Sequence, residues 1–257
     1  MINQKVIEIL NLQKQFANNI HILQIFNDLS LSIFKNQITT IVGPSGCGKT
    51  TLLNIIAELD MNYKGRIQKN IQNIIGYIFQ EDALIPWKTV SENVLLGLNL
   101  RKEIKQKNEC CNKMLQDCGL YEFRNYYPKM LSGGMRQKVA LAQMLINDPD
   151  LILLDEPFSS QDFFTKIQLE NLFYTNIKQK QLSAILVTHD VEEAVALSDR
   201  IIVLSQKPCK ILKDIFLDFR QDGKFLLPEE ARELTSISHY FANIYQTLKP
   251  ELDEKSI

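Results

Sequence analysis

The sequence has no long apolar run and no apolar leader segment. No stretch of its 257 residues approaches the roughly 18 consecutive apolar residues that a bilayer-spanning helix requires. The first residues, MINQKVIEILNLQKQF, also lack the apolar core of a secretion signal. These absences predict a soluble chain that associates with a membrane only through a partner protein.

The net charge and the cysteine spacing give no support for a nucleic-acid partner or for a cysteine-based metal site. The net charge is −1, so nothing in the balance favours a nucleic-acid or acidic-lipid partner. The five cysteines form no C-x-x-C pair and show no His/Cys metal spacing. We therefore expect reduced thiols in a cytosolic protein, and no nucleic acid among its partners.

Several short segments are continuously apolar or β-branched, which is typical of strands buried on both faces of a sheet. They are Ile38–Val42, Leu151–Leu154, Ser183–Thr188 and Ile201–Leu204. Helical patterns over 162–180 and 191–197 separate the last three. This alternation predicts a mainly parallel sheet with crossover helices.

The remaining segments surround that sheet. Residues 5–34 alternate in short runs and predict strands joined by a polar turn at Asn18-Asn19. Between about 89 and 149 the spacing becomes helical, with a helix that ends at Gly119 and another that begins at Ser132. From Pro228 onward an apolar stripe at helical spacing predicts a C-terminal helix.

A glycine-rich loop directly follows the strand Ile38–Val42. It fits G-x-x-x-x-G-K-[ST], a pattern whose backbone N–H groups surround phosphates at the start of a helix. Lysine in this pattern reaches the β- and γ-phosphates, and the hydroxyl that follows it holds Mg²⁺. The residues that we expect to contact nucleotide are Gly43, Pro44, Ser45, Gly46, Cys47, Gly48, Lys49, Thr50 and Thr51.

An acidic pair ends the buried run Leu151–Leu154. Asp155 closes the strand, a position from which its carboxylate can face a metal ion. Glu156 follows, where it can polarise an attacking water as a general base. With a phosphate loop in the same sheet, the pair predicts nucleotide hydrolysis.

A second glycine-bearing turn, LSGGMRQ at 131–137, precedes this strand. It also has the character of an anion-binding turn at a helix start. Two half-sites for one nucleotide in a single chain suggest that two copies meet to complete each site.

Together, LSGGMRQ, the phosphate loop and LILLDEP at 151–157 resemble an ATP-binding-cassette (ABC) ATPase over nearly the whole chain. The resemblance implies an α/β P-loop NTPase core with a mainly parallel sheet, an N-terminal antiparallel β-subdomain and an inserted α-helical subdomain. It divides one ATPase domain into a core (1–80 and 150–215), a helical subdomain (81–149) and a C-terminal helical tail (216–257).

The same resemblance assigns further residues. Gln80 matches the glutamine that contacts Mg²⁺ and the attacking water, and His189 matches the histidine that contacts the γ-phosphate. Phe16 corresponds to the aromatic residue under the adenine. The turn and the D-loop match residues that complete the site of the opposite subunit: Ser132, Gly133, Gly134 and Asp162.

A narrower resemblance is to importer ATPases of the nitrate, sulfonate and taurine type, which also include thiamine-precursor systems. It rests on FQEDALIPW at 79–87, GMRQK at 134–138 and DEPF at 155–158. In that group the loop after the glutamine contacts the permease, so the loop from Gln80 to Trp87 is a candidate docking surface. The alternative is that Trp87 packs inside the helical subdomain.

These resemblances imply a transport ATPase that uses ATP and Mg²⁺. Two copies, or one copy and a paralogue, bind ATP head to tail and drive uptake through an integral-membrane permease served by an extracytoplasmic substrate-binding protein. The chain then lies at the cytoplasmic face of the membrane as a peripheral subunit. The alternatives are a soluble ABC ATPase and an exporter subunit.

A regulatory cassette and a P-loop protein of a different class fit the motifs less well. A non-hydrolysing regulatory cassette usually lacks the glutamate or the histidine, whereas Glu156 and His189 are both present. A P-loop kinase or GTPase leaves LSGGMRQ unexplained.

Overall fold

A computed structural model describes residues 4–17, 22–72, 74–79, 83–96, 98, 104–220 and 225–253. It confirms the expected fold class, which is a mixed α/β chain with a parallel sheet, an antiparallel N-terminal sheet and a helical insertion. Among the described residues, no helix is both long enough and apolar enough to traverse a membrane.

Among the residues that the structure describes, six strands form the central sheet: Ile38–Val42 (β3), Ile75–Ile78 (β5), Leu151–Asp155 (β6), Ser183–Thr188 (β7), Arg200–Leu204 (β8) and Ile211–Phe216 (β9). Their order is β5-β6-β7-β3-β8-β9. Five of them are parallel, and β9 pairs antiparallel with β8 at one edge. The carboxyl ends of β3, β6 and β7 therefore meet at one edge, where sites of parallel sheets form.

A three-stranded antiparallel sheet forms the N-terminal part. Its strands are β1 (Lys5–Ala17), β2 (Ile22–Phe34) and β4 (Lys64–Lys69), in the order β2-β1-β4. Register shifts interrupt the pairing of β1 with β2, and such bulges increase the twist of a sheet. The predicted turn at Asn18-Asn19 lies outside the described residues.

Two apolar layers cover the two faces of the central sheet. Leu151 and Leu153 pack toward the helix after β3 and the N-terminal sheet, whereas Ile152 and Leu154 pack toward the helical insertion. This alternation follows from the two-residue repeat of a strand. Because the second layer continues into the insertion, the insertion is packed directly onto the sheet.

Helices α1 (Lys49–Ile56), α5 (Phe163–Gln179) and α6 (Val191–Leu197) connect strands of the sheet to one another or to the rest of the core. The insertion contains α2 (Val90–Leu95), α3 (Ile104–Asp117) and α4 (Gly133–Leu145). Gly119 has φ +67°, a left-handed conformation that ends a helix, and the Ser132 side chain caps α4. Both predicted helix boundaries are confirmed.

The C-terminal region differs from the single predicted helix. It forms two helices, α7 (Pro228–Arg232) and α8 (Thr235–Asp253), that pack on α6 and β8. Strand β9 was not predicted either. The boundaries proposed for the subdomains, at 81–149 and 216–257, stay predictions.

Candidate functional site

The glycine-rich loop joins the end of β3 to the start of α1. Gly46 and Gly48 have φ of +78° and +122°, conformations that a side chain disfavours. A Cβ on Gly48 would also lie 2.5 Å from Cγ2 of Ile25. The chain therefore turns closely against β2 and directs the first N–H groups of α1 into the loop, which is the arrangement that binds phosphate.

Lys49 is held beneath this loop. Its ammonium donates hydrogen bonds to the carbonyls of Gly43 at 2.8 Å and Pro44 at 3.0 Å. The side chain is 6% exposed, and its positive charge lies inside the curve of the loop. An anion that enters the loop meets this charge together with the helix N-terminus.

Cys47 is buried in the same loop, on the side away from solvent. The Cys209 thiol donates a hydrogen bond to its sulfur, and this bond is the largest effect that lowers the pKa of Cys47. The contact joins the loop to the segment after β8, a neighbour that the sequence pattern did not indicate.

Asp155 and Thr50 are neighbours at the carboxyl edge of the sheet. Burial raises the pKa of the Asp155 carboxyl, and the hydrogen bond that it accepts from Thr50 opposes this effect. A carboxylate and a hydroxyl are hard oxygen ligands of the kind that Mg²⁺ prefers. This donor set fits the metal expected from the sequence.

Glu156 stands at the turn after β6, with φ +48°. Its N–H donates to the carbonyl of Val187 in β7 at 2.9 Å, which ties the turn after β6 to the neighbouring strand. Its Oε2 lies 3.0 Å from Nδ1 of His189, so the pair predicted from two distant motifs is in contact. His189 remains 60% exposed on its side chain, and thus accessible to a ligand.

An open cleft of about 550 Å³ lies over the phosphate loop. Phe16, 47% exposed, contributes to its wall, and Glu156 lies in the same lining. The ammonium of Lys14 lies 4.7 Å from the centroid of the Phe16 ring and is itself paired with Asp60 at 2.7 Å. The other lining residues are Leu23, Ile25, Ser45, Gly46, Gly48, Lys49, Thr50, Thr51 and Lys207.

The second glycine-bearing turn lies elsewhere. The Ser132 hydroxyl accepts a hydrogen bond from the N–H of Met135 at 3.3 Å, and Asp162 caps α5 by accepting from the N–H of Thr165 at 3.1 Å. Hydrogen bonds from Thr165 lower the pKa of Asp162. Gly133, Gly134, Ser132 and Asp162 are all absent from the lining of the cleft.

The structure thus gathers most of the predicted residues into one place. It brings together Phe16, the phosphate loop, Asp155, Glu156 and His189 and leaves the turn at 132–134 outside. Gln80 lies outside the described residues. Lys207 lines the cleft without having been predicted, because no motif precedes it and it reaches the cleft only through folding.

Comparison with known proteins gives a consistent family. The model of the family described as ABC transporter matches residues 26–159. The ABC transporter ATP-binding protein YtlC of Bacillus subtilis is 42% identical over 233 residues, covering 88% of this chain and 87% of that protein. The aliphatic sulfonates import ATP-binding protein SsuB of Bacillus cereus is 40% identical over 216 residues, covering 81% of this chain and 85% of that protein.

A solved structure gives the same result for the fold and the chemistry. The dimeric structure of a post-hydrolysis state of the ATP-binding cassette MJ0796 bound to ADP and Pi has a TM-score of 0.72 and 28% identity. It covers 82% of this chain and 98% of that chain. The chain therefore belongs to the ABC transporter family, and it is an ATP-hydrolysing ABC ATPase subunit.

Proposed function

We propose that two copies of this chain bind two ATP molecules head to tail and that hydrolysis drives solute uptake through a partner permease. In this arrangement the cleft of one copy holds ATP, and the turn at Ser132–Gly134 of the other copy covers its γ-phosphate. Asp162 follows at the same interface. Closure around ATP then gives the closed dimer a binding energy that the open state lacks.

The observation that carries this proposal is the separation of the two anion-binding elements. The cleft holds the phosphate loop, Phe16 and Glu156, while the capped start of α4 does not line it. A second copy that supplies α4 completes the site. The dimeric cassette of MJ0796, similar to this chain over most of its length, supports the same arrangement.

The hydrolytic roles follow from the contacts of this chain. Lys49 and the loop N–H groups hold the phosphates in place, and Thr50 and Asp155 would hold Mg²⁺. That ion supplies charge neutralisation on the phosphate oxygens. Glu156 accepts a proton from the attacking water, while His189, 3.0 Å away, orients the carboxylate and contacts the γ-phosphate.

Gln80 is proposed as a further contact to Mg²⁺ and water, on the strength of the family resemblance alone. Gln80 precedes the segment that we propose as the permease-docking loop. It would therefore couple nucleotide binding in the cleft to the position of that loop.

The docking surface has two described parts. An apolar cavity of about 300 Å³ lies between β5 and α4, where Phe79 and Met144 line it. Nearby in sequence, Trp87 is 76% exposed, so the alternative that it packs inside the insertion is wrong. An exposed tryptophan and an apolar cavity are each typical of a surface that receives an apolar segment of a partner.

The loop that carries Trp87 is firmly held by a buried amide. Asn93 accepts a hydrogen bond from the N–H of Ile85 at 2.8 Å. Its amide group donates to the carbonyls of Ile85, Lys88 and Thr89 at 3.0 to 3.2 Å. One side chain thus satisfies four backbone groups of the segment from Ile85 to Thr89.

We propose import as the direction and sulfonate-type compounds as the substrate class, with nitrate, taurine and thiamine precursors as related possibilities. The sulfonate importers named SsuB support this proposal. An extracytoplasmic binding protein would deliver the solute, and this chain would work at the cytoplasmic face of the membrane. Trp87→Ser is expected to reduce co-purification with the partner permease.

Glu156→Gln tests the two-copy site. The variant keeps the shape of the side chain but loses the base, so hydrolysis falls by about 10² to 10⁴-fold while ATP binding persists. With Mg-ATP it is expected to elute as a dimer in size-exclusion chromatography, and with Mg-ADP as a monomer. A monomer at saturating Mg-ATP contradicts the proposal.

Complementation tests the same interface without relying on dimer size. Lys49→Ala and Ser132→Arg each inactivate both sites of their own homodimer. In an equal mixture half of the dimers are mixed, and each mixed dimer has one intact site, so about a quarter of the wild-type rate returns if the sites act independently. A mixture no faster than either variant alone means that the site is not shared.

A further inference from the structure

The segment that follows β8 contributes one residue to the wall of the ATP cleft. Lys207 lines the cleft together with Phe16, the phosphate loop and Glu156. It also lines a second cavity of about 220 Å³ against Pro44, Ser45 and Gly46. Lys207 therefore lies near Ser45 and Gly46 of the phosphate loop in both cavities.

The ammonium group of Lys207 is free to bind an anionic ligand. The other lysine in the lining, Lys49, already donates to two loop carbonyls. Within the described part of the chain, the exposed Lys207 ammonium forms no hydrogen bond and no ion pair. ATP is a polyanion, and a cation at the edge of a partly enclosed cleft attracts it more strongly than one in open solvent.

The backbone around Lys207 is held in place from three directions. The N–H of Cys209 donates to the carbonyl of Ile25 at 2.8 Å, which ties the segment to β2. Ser205 and Lys210 form reciprocal bonds of 2.9 Å. The N–H of Gln206 donates to the α8 carboxylate of Glu251 at 2.7 Å, so the side chain is presented from a fixed turn.

We propose that Lys207 is a phosphate-binding residue of the ATP site, and that its ammonium contacts the polyphosphate chain beside Ser45 and Gly46. The inference rests on ATP occupying this cleft, as in the proposed function. Lys207 completes a ring of positive charge that Lys49 and the start of α1 begin. It acts on nucleotide affinity, while the attack of water is left to Glu156.

Calorimetric titration with Mg-ATP and Mg-ADP tests this role, in a Glu156→Gln background that prevents turnover. Lys207→Ala is expected to raise the Kd for both nucleotides about 5- to 20-fold, between the effect of an exposed ion pair and that of a desolvated hydrogen bond to a charged group. Lys207→Arg keeps the charge and is expected to stay within about threefold of the parent. The Kd of the alanine variant also rises less steeply with salt, because one screened ion pair is missing.

Lys210→Ala is the matched control, because Lys210 lies in the same turn, is exposed, and does not line the cleft. It is expected to bind ATP within about twofold of the parent, since a charge in open solvent is screened. If Lys207→Ala lowers the thermal midpoint, Lys207→Met, which keeps the alkyl stem, replaces it. Equal Kd values for the Lys207 and Lys210 variants overturn the inference, whereas a parent that binds no ATP overturns the proposed function instead.

Discussion

Gly134→Ala tests why the second residue of α4 is glycine. Gly134 has ordinary helical backbone angles, so an alanine there introduces no backbone strain. Its Cβ would, however, lie 2.2 Å from Cγ2 of Thr165, at the start of α5, where ordinary contacts are 3.4 to 4 Å. The two helix starts would have to separate by about 1 Å or more to restore an ordinary contact.

The expected loss of stability follows from these distances. Overpacking of this kind destabilises by about 1–3 kcal/mol, and the higher helix propensity of alanine offsets up to about 1 kcal/mol. A net loss of about 1–2 kcal/mol corresponds to a fall of about 2–8 °C in the thermal midpoint for a chain of this size. Scanning calorimetry of the nucleotide-free protein measures it.

Two variants isolate the contact. Gly133→Ala places its Cβ 3.5 Å from Oε1 of Gln161, an ordinary contact, and is expected to leave the midpoint unchanged. Thr165→Ser removes the methyl group that Gly134→Ala meets, while the backbone bond to Asp162 persists. The double variant Gly134→Ala/Thr165→Ser is therefore expected to be as stable as Thr165→Ser alone, or more stable.

ATPase activity of the same variants separates packing from nucleotide contact. If the double variant regains stability and activity together, Gly134 serves the packing of α4 against α5. If stability returns and activity does not, the glycine also allows close approach of the phosphate held by the partner copy. A double variant as unstable as Gly134→Ala refutes the steric argument.

Two further predictions concern Phe16 in the wall of the cleft and the buried carboxyl group of Glu170. Phe16→Ala is expected to raise the Kd for ATP by about 5- to 150-fold, because stacking of a base on an aromatic ring contributes about 1–3 kcal/mol. Phe16→Tyr keeps an aromatic ring and is expected to retain affinity. An unchanged Kd for the alanine variant means that no base stacks on Phe16. Burial raises the pKa of Glu170 to about 7, although Arg232 lies 2.6 Å away. The folded state thus binds this proton more tightly than the unfolded state, so the stabilising contribution of Glu170 is complete below about pH 4.5 and is lost as the pH rises through about 7. Relative to Glu170→Gln, the wild-type thermal midpoint is expected to fall between about pH 5 and 8; parallel pH curves for the two proteins contradict the assignment.

The sheet was predictable where burial alone dictates the pattern. Leu151–Leu154 and Ser183–Thr188 are buried on both faces, so their apolar runs report the strand directly. Strand β9 carries no such signal, because its Lys213 and Asp214 are exposed at the edge of the sheet. It pairs through its backbone with β8, and Arg200 of β8 binds Asp214 with two donors, a pairing that only the folded chain reveals.

The site divides in a similar way. Glu156 and His189 belong to short motifs whose residue types encode their chemistry, and their contact confirms that the motifs converge. Lys207 belongs to no motif, and its place in the cleft depends on the bond between Cys209 and Ile25. The break between α7 and α8 escaped prediction because Leu234 continues the apolar stripe while the backbone changes direction.

The four hydrogen bonds of Asn93 determine how rigidly the segment around Trp87 is attached to α2. A partner that takes Trp87 as its anchor meets a segment that is already ordered, so little conformational entropy is lost on association. Such a segment also moves together with α2 as one rigid unit. If a partner binds Trp87, a rotation of α2 would carry the backbone of this segment with it, because Asn93 of α2 is bonded to Ile85, Lys88 and Thr89.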